Sequence, residues 1–390
     1  MTVLKYSHLR KGGCSVTDIQ NRFNRAWKAY TIMHLDQRVA SVRSNGTCTI
    51  YAAALMPYNL YLEQSKDMDA RVNNLNNFYY WCASRVLTLD RKYAKEILNS
   101  IGAGQAASDR DRAAISLAYH CVALTDVYWT REYRERITYD EINLFDHSLS
   151  DAFVDVSLRG KSLTAQNSQL MTAGDAAGDV ATQGVAPKAW IRRNGTFCLL
   201  KDGDENEVAA ELLASRIARC FDVDQVLYEP FVYDGQKVSC STLMTSKAYS
   251  IVPMEHVEIY AANHDTDLYA MIQRIDSRGY SMMNIIDYLV GNTDRHWGNW
   301  GFLIDNQTNR PLRLFPLMDF NKAFQSYDTL EGSRCLTAPI PMNQLDAARE
   351  AVRKIGLNQK EDVQRAWFDD TEKWEMFRKR LLALQQAEKN

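Results

Sequence analysis

The chain has 390 residues, 46% of them hydrophobic and 24% charged, and a formal net charge of −2. That length accommodates two or three domains, and a charge so near zero leaves no electrostatic footprint for direct binding of nucleic acid or of a membrane surface. No run approaches the roughly 18 apolar residues of a membrane span, and the opening Met1-Thr2-Val3-Leu4-Lys5-Tyr6 is no signal peptide. The eight cysteines form no Cys-x-x-Cys pair and the seven histidines no His-x-x-x-His pair. This usage reads as a cytoplasmic protein with reduced, mostly buried thiols and no structural zinc.

Residues 1–60 read as a small β unit. Tyr30–Met33, Val39–Val42 and Cys48–Tyr51 are strand candidates, the last two joined through Asn45-Gly46, a strong hairpin signal. From Met68 to about Cys121 the pattern is helical, with Val72, Leu75, Phe78, Tyr79 and Cys82 as the apolar positions. Ser108 caps a further helical run through Ile115, Leu117, Ala118 and Cys121. The aromatics Tyr79, Tyr80, Trp81 and Tyr119 are expected to pack a helical subdomain.

A strand is expected at Phe153–Leu158, followed by the Ala/Gly/Asp-rich loop Met171–Gly184. Such a loop either lays backbone N–H groups around phosphates or is a plain surface connection. The next hairpin says more. Ala189–Arg192 and Phe197–Leu200 flank Asn194-Gly195, which pairs Lys188 with Lys201 and sets Lys188, Trp190, Arg192, Phe197, Leu199 and Lys201 on one face. Like charges placed opposite each other repel unless an anion lies between them. Either these are two solvated strand-end lysines, or Lys201, assisted by Lys188, holds nucleotide phosphates while Leu199 roofs an adenine. Glu205–Cys220 reads as a helix whose Glu207 and Glu211 share a face. Val226–Val232 and Val238–Met244 are strands hinged at Asp234-Gly235. The segment through Thr245 would offer backbone groups to an adenine.

Chemistry concentrates between Ser281 and Phe324. An apolar helix carrying Met282, Ile285, Ile286 and Leu289 stops at Gly291, and a polar loop runs from Asn292 to Asn299. Two strand-like runs follow, Trp300–Asp305 and Leu312–Phe320. Antiparallel pairing centred near Asn309 would set Asn299 opposite Asp319, with Asp294 in the loop beside them. A cation such as Mg²⁺ takes one or two protein oxygens together with substrate phosphates, and phosphoryl transfer needs a separate carboxylate for the attacking hydroxyl. Asp294 and Asn299 stand five positions apart, the spacing of Asp and Asn in the kinase catalytic loop. Asp294 is therefore assigned as base, and Asn299 and Asp319 as metal ligands. Beyond Phe324 the chain reads as helical, with Ala347, Val352 and Ile355 on one apolar face and Trp374, Phe377, Leu381, Leu382 and Leu384 on another.

Asn292-Thr293-Asp294-Arg295-His296, then Asn299, then Met318-Asp319-Phe320 resemble the HipA-like bacterial protein kinases. The Asp-Arg-His element is also similar to that of the phosphatidylinositol kinases. The resemblance implies an α+β, two-lobed protein-kinase-like fold, ATP and Mg²⁺ as cofactors, and phosphorylation of Ser or Thr. It implies an N-terminal β unit with a helical insertion over 1–150, a kinase N-lobe over 151–246 and a helical C-lobe over 247–390. A helix glutamate, Glu207 where the family has one or else Glu211, would pair with Lys201. Asn321 stands where many kinases have Gly, and Arg295 follows the base where the usual triplet has Arg before it. The expected activity is an ATP- and Mg²⁺-dependent kinase acting on a protein substrate, itself included. A small-molecule or lipid kinase and a nucleotide-binding scaffold are the alternatives. The resemblance also allows a small antitoxin-like partner.

Overall fold

A computed structural model describes residues 29–101, 103, 106–133, 135–146, 186–325 and 329–389. The strand expected at 153–158, the loop expected at 171–184 and Cys14 lie outside the described residues. The architecture is mixed α/β, and the chain divides into two compact units. The first takes the described residues up to Lys201, with Thr245–Ser250 and Asp305–Asn309. The second takes Asp202–Met244, Ile251–Ile304 and the described residues from Arg310.

The first unit starts with β1 (Ala29–His34), β2 (Gln37–Arg43) and β3 (Cys48–Ile50). All three lie where alternation placed them. A fourth strand with no clear sequence signal, β4 (Tyr128–Glu132), adds to β1 and gives an antiparallel sheet of order β3-β2-β1-β4. The helical stretch is broken into α1 (Met68–Ala83), α2 (Ala94–Ser100) and α3 (Asp109–Ala118), followed by the single turn α4 (Tyr139–Ile142). Asp67 and Ser108 cap α1 and α3 by accepting backbone N–H groups, and Ser108 and Asp111 complete a capping box. Ile32, Val39, Phe78, Trp81, Ile97 and Ala113 share one core. Tyr79 and Tyr119 pack against that core, whereas Tyr80 is exposed rather than packed.

The hairpin β5 (Lys188–Arg193) and β6 (Thr196–Lys201) follows the expected register, Lys188 opposite Lys201. Asn194 and Gly195 have φ of 50° and 81°, the left-handed pair that a two-residue turn requires. Asn309, also in this unit, donates from Nδ2 to the carbonyls of Ala54 (3.1 Å) and Met56 (3.0 Å).

The second unit opens with α5 (Glu205–Ala218) and the hairpin β7 (Tyr228–Tyr233) and β8 (Gln236–Thr242). Then come β9 (Tyr249–Pro253), whose first two residues count with the first unit, and α6 (Met254–Asn263), neither anticipated, and the long helix α7 (Leu268–Val290). The helix α7 is interrupted at Asp276 (φ −154°, ψ 72°). The Asp276 carboxylate accepts the Gly279 N–H (2.7 Å) and, from β11 (Arg310–Leu314), the Leu314 N–H (2.9 Å). A Cβ on Gly279 would lie 2.2 Å from that carboxylate, so only glycine fits. At the far end Gly291 (φ 57°, ψ 52°) is the left-handed stop, as expected.

β10 (Gly301–Asp305) lies between β9 and β11. Here the expected hairpin needs correction. Gly301, which pairing centred on Asn309 would set opposite Leu317, accepts instead from the Phe315 N–H (2.9 Å). The strand ends at Leu314 because Leu317 changes partner: its N–H donates to Asp224 O (2.9 Å) and its carbonyl accepts from Val226 N (2.8 Å). Asn299 and Asp319 are therefore not strand partners. The helices α8 (Gln344–Ile355) and α9 (Thr371–Lys389) complete the unit, with Val352, Phe377 and Leu384 buried and Leu382, against expectation, exposed. No helix among the described residues is long and apolar enough to cross a membrane.

His34 is 3% exposed, its ring lies edge-on to Tyr128 at 4.8 Å, and its Nε2 has no hydrogen-bond partner among the described residues. Burial, partly opposed by Asp126, pushes its pKa down from 6.5 to about 4. The unfolded chain therefore takes up this proton first as pH falls. The stability contributed by neutral His34 is full above about pH 6.5 and is lost as pH falls towards about 4. Urea unfolding is expected to show a loss on the order of 3 kcal/mol across that window, and His34→Phe is expected to flatten this part of the profile.

Candidate active site

All three oxygen-bearing residues assigned to phosphoryl transfer, Asp294, Asn299 and Asp319, belong to the second unit. The order around them comes from a residue whose role the sequence left open. Arg295 is 3% exposed and makes a bidentate pair with Asp287 of α7, Nε to Oδ2 and Nη2 to Oδ1, each 2.8 Å. Its remaining nitrogen, Nη1, donates to the carbonyls of Asn299 (3.0 Å) and Met318 (2.5 Å). Burial opposes the guanidinium charge, but Asp287 outweighs it, with Asp319 adding to the same side, and the pKa is raised above the ordinary arginine value. One planar cation thus joins the end of the polar loop to the residue before Asp319. This bridge, not a strand pairing, brings the backbones of 299 and 318 together.

Asn292 completes the brace. Its Nδ2 donates to Asp287 Oδ1 (3.1 Å) and to Asp319 O (3.4 Å), its Oδ1 accepts the Asp294 N–H (3.2 Å), and Gln344 Nε2 donates to its carbonyl (2.7 Å). Asn299 is 5% exposed and donates from Nδ2 to Asp294 O (2.9 Å). Asp319 has a left-handed backbone (φ 60°), and its N–H donates to Tyr228 Oη (3.1 Å). Among the described residues the Asp294 carboxylate accepts no hydrogen bond, as suits a group that must meet a substrate hydroxyl. His296 Nδ1 accepts the Gly298 N–H (3.1 Å), closing the loop on itself. A carboxylate and an amide oxygen suit a hard cation that keeps phosphate or water ligands. Among the described residues there is no cluster of three His, Cys, Asp or Glu side chains.

Asp204 caps α5 by accepting the Glu207 N–H (2.8 Å), and the Glu207 carboxylate, one of the two considered for Lys201, is ion-paired with Lys322, three residues past Asp319. Glu211 is 1% exposed and accepts from Ser239 Oγ (2.5 Å). In the first unit Lys188 and Lys201 are both buried, not splayed into solvent, and Leu199 between them is half-buried. The carbonyl of Lys188 accepts from Arg91 Nη2 (2.5 Å). Thr245 is buried and its hydroxyl is held by the Leu124 carbonyl. Sequence reasoning missed Asp287 and Lys322. Asp287 was discoverable, because a carboxylate inside the apolar run Ile285–Val290 must be paired.

The fold is similar to that of a solved HipA. HipA of Shewanella oneidensis MR-1, solved with HipB and operator DNA, aligns over 92% of this chain and 97% of its own, at 10% identity and a TM-score of 0.53. The proinflammatory kinase CtkA of Helicobacter pylori aligns over 52% of this chain and 91% of its own, at 15% identity and a TM-score of 0.42. No protein-family model matches the sequence, and no curated protein matches it.

Two measurements check the brace and the Glu207–Lys322 pair. Arg295→Leu leaves the Asp287 carboxylate buried without its cation and is expected to cost about 3–5 kcal/mol in urea unfolding, much of it recovered when Asp287→Leu is added. Glu207 and Lys322 are only partly shielded. A double-mutant cycle of Glu207→Ala and Lys322→Ala is expected to give a coupling of about 1 kcal/mol that shrinks with added salt.

Proposed function

We propose that the chain is an ATP- and Mg²⁺-dependent phosphotransferase with the hydroxyl of a Ser or Thr side chain in a protein as acceptor. The observation that carries this reading is a set of backbone ties among the three residues: buried Arg295 donates to the carbonyls of Asn299 and of Met318, the residue before Asp319, and Asn299 Nδ2 donates to the Asp294 carbonyl. In this reading Asp294 orients the attacking hydroxyl and receives its proton. Asn299 and Asp319 hold Mg²⁺, which supplies charge neutralisation on the transferring group when bound. Lys201, with Lys188, neutralises the nucleotide phosphates. Leu199 lies against the adenine, and the backbone at Thr245 meets its edge.

Incubation with Mg²⁺ and γ-labelled ATP is expected to label the protein itself or a protein of a cell extract. Asp294→Asn is expected to lower labelling at least about 100-fold, the scale of a lost general base. Absence of labelling with both Mg²⁺ and Mn²⁺ would overturn the assignment. A thermal shift with ATP and Mg²⁺ in the absence of ATP consumption would point to a nucleotide-binding scaffold instead. Because the HipA structure holds HipB, a small antitoxin-like partner is a second reading. A small helix-turn-helix protein encoded beside this chain and co-purifying with it would support that reading.

A further inference from the structure

Asn321 stands one residue past Asp319-Phe320, where many kinases have glycine. The turn that carries it is fixed from below. Phe320 is fully buried under the Arg295 guanidinium, 5.3 Å from the ring centroid. Ala323 and Phe324 are buried, the Ala323 N–H donates to Phe320 O (2.9 Å), and the Phe324 N–H donates to Val290 O (3.1 Å). The Asn321 carbonyl accepts from Gln325 Nε2 (2.9 Å). The side-chain oxygen is different: Asn321 Oδ1 is buried and has no donor among the described residues. A buried acceptor without a donor is costly, and in a native fold it asks for a reason. Lys322, the adjacent cation in sequence, is committed to Glu207.

An amide oxygen is an acceptor and a hard ligand, so a cation satisfies it as well as an N–H does. From this buried oxygen without a donor, two residues past Asp319, we infer that Asn321 Oδ1 is a third protein oxygen, with Asn299 Oδ1 and the Asp319 carboxylate, for the divalent cation of the proposed function, on which the inference rests. A glycine at this position would leave two protein oxygens, and the metal would then depend on substrate phosphate to complete its shell. With three, the site takes a divalent cation before nucleotide arrives. The turn delivers the third oxygen without a second acidic side chain, so the site does not gain negative charge that would repel a triphosphate.

The test is direct Mn²⁺ binding to the full chain, read from the electron paramagnetic resonance signal of the free ion, with and without a non-hydrolysable ATP analogue. Wild type is expected to bind Mn²⁺ in both conditions. Asn321→Gly and Asn321→Leu are expected to weaken Mn²⁺ binding about tenfold, as loss of an oriented ligand does, and Asn321→Asp to retain it. Asp319→Asn is expected to weaken it as well. If Asn321→Leu fails to fold by circular dichroism, Asn321→Gly and Asn321→Asp decide. Mn²⁺ affinities equal to wild type in the Asn321 variants, with loss in Asp319→Asn, would overturn the inference and leave the proposed function standing. A wild-type chain that takes up no Mn²⁺ even with the analogue would overturn both.

Discussion

The second unit depends on one buried ion pair. Asp287 sits on the last turn of α7 among fully buried apolar side chains, and Arg295 in the following loop is as deeply buried. Desolvating two charges is expensive and returns little stability by itself. What it secures here is direction. A guanidinium fork held by both oxygens of one carboxylate has a fixed plane, and its remaining nitrogen must then point at the two carbonyls it reaches. A lysine could balance the charge but could not span Asp287, Asn299 and Met318 together.

The same pair explains how the candidate site is built from short pieces. The helix end is set by Gly291, the loop by Asn292, His296 and Asn299, and the turn after Asp319 by Phe320 and Ala323. Each piece is locally capped or hydrogen-bonded. Arg295 is the common partner, so the loop and the turn share one reference point. Asn292 then repeats the link on the other side, reaching both Asp287 and the Asp319 carbonyl.

Local rules read from the sequence held where structure is local. Alternation and the Asn194-Gly195 turn fixed the pairing of Lys188 with Lys201, and the apolar run before Gly291 gave the helix end. They failed where a remote partner intervenes. The run Leu312–Phe320 has strand composition throughout, yet at Leu317 its backbone partners come from residues 224 and 226. Glu207 looked like a lysine partner, and is, but its lysine lies 115 residues downstream. The strand β4 left little trace because its value lies in completing a sheet with β1. Asp294, Asn299 and Asp319 stand out in the sequence as a motif, while the Arg295 link between the backbones at 299 and 318 does not, since nothing in the spacing of Asp287 and Arg295 reveals that they meet.

The break at Asp276 gives α7 two mechanical origins. Because its carboxylate holds both Gly279 and the end of β11, the stretch from there to Val290 is indexed to the sheet and not to the preceding helical turns. Insertions or deletions upstream of the break would rotate those earlier turns without transmitting a change of phase past it. The loop that carries Asp294 thus keeps its bearing whatever the length of chain that leads in.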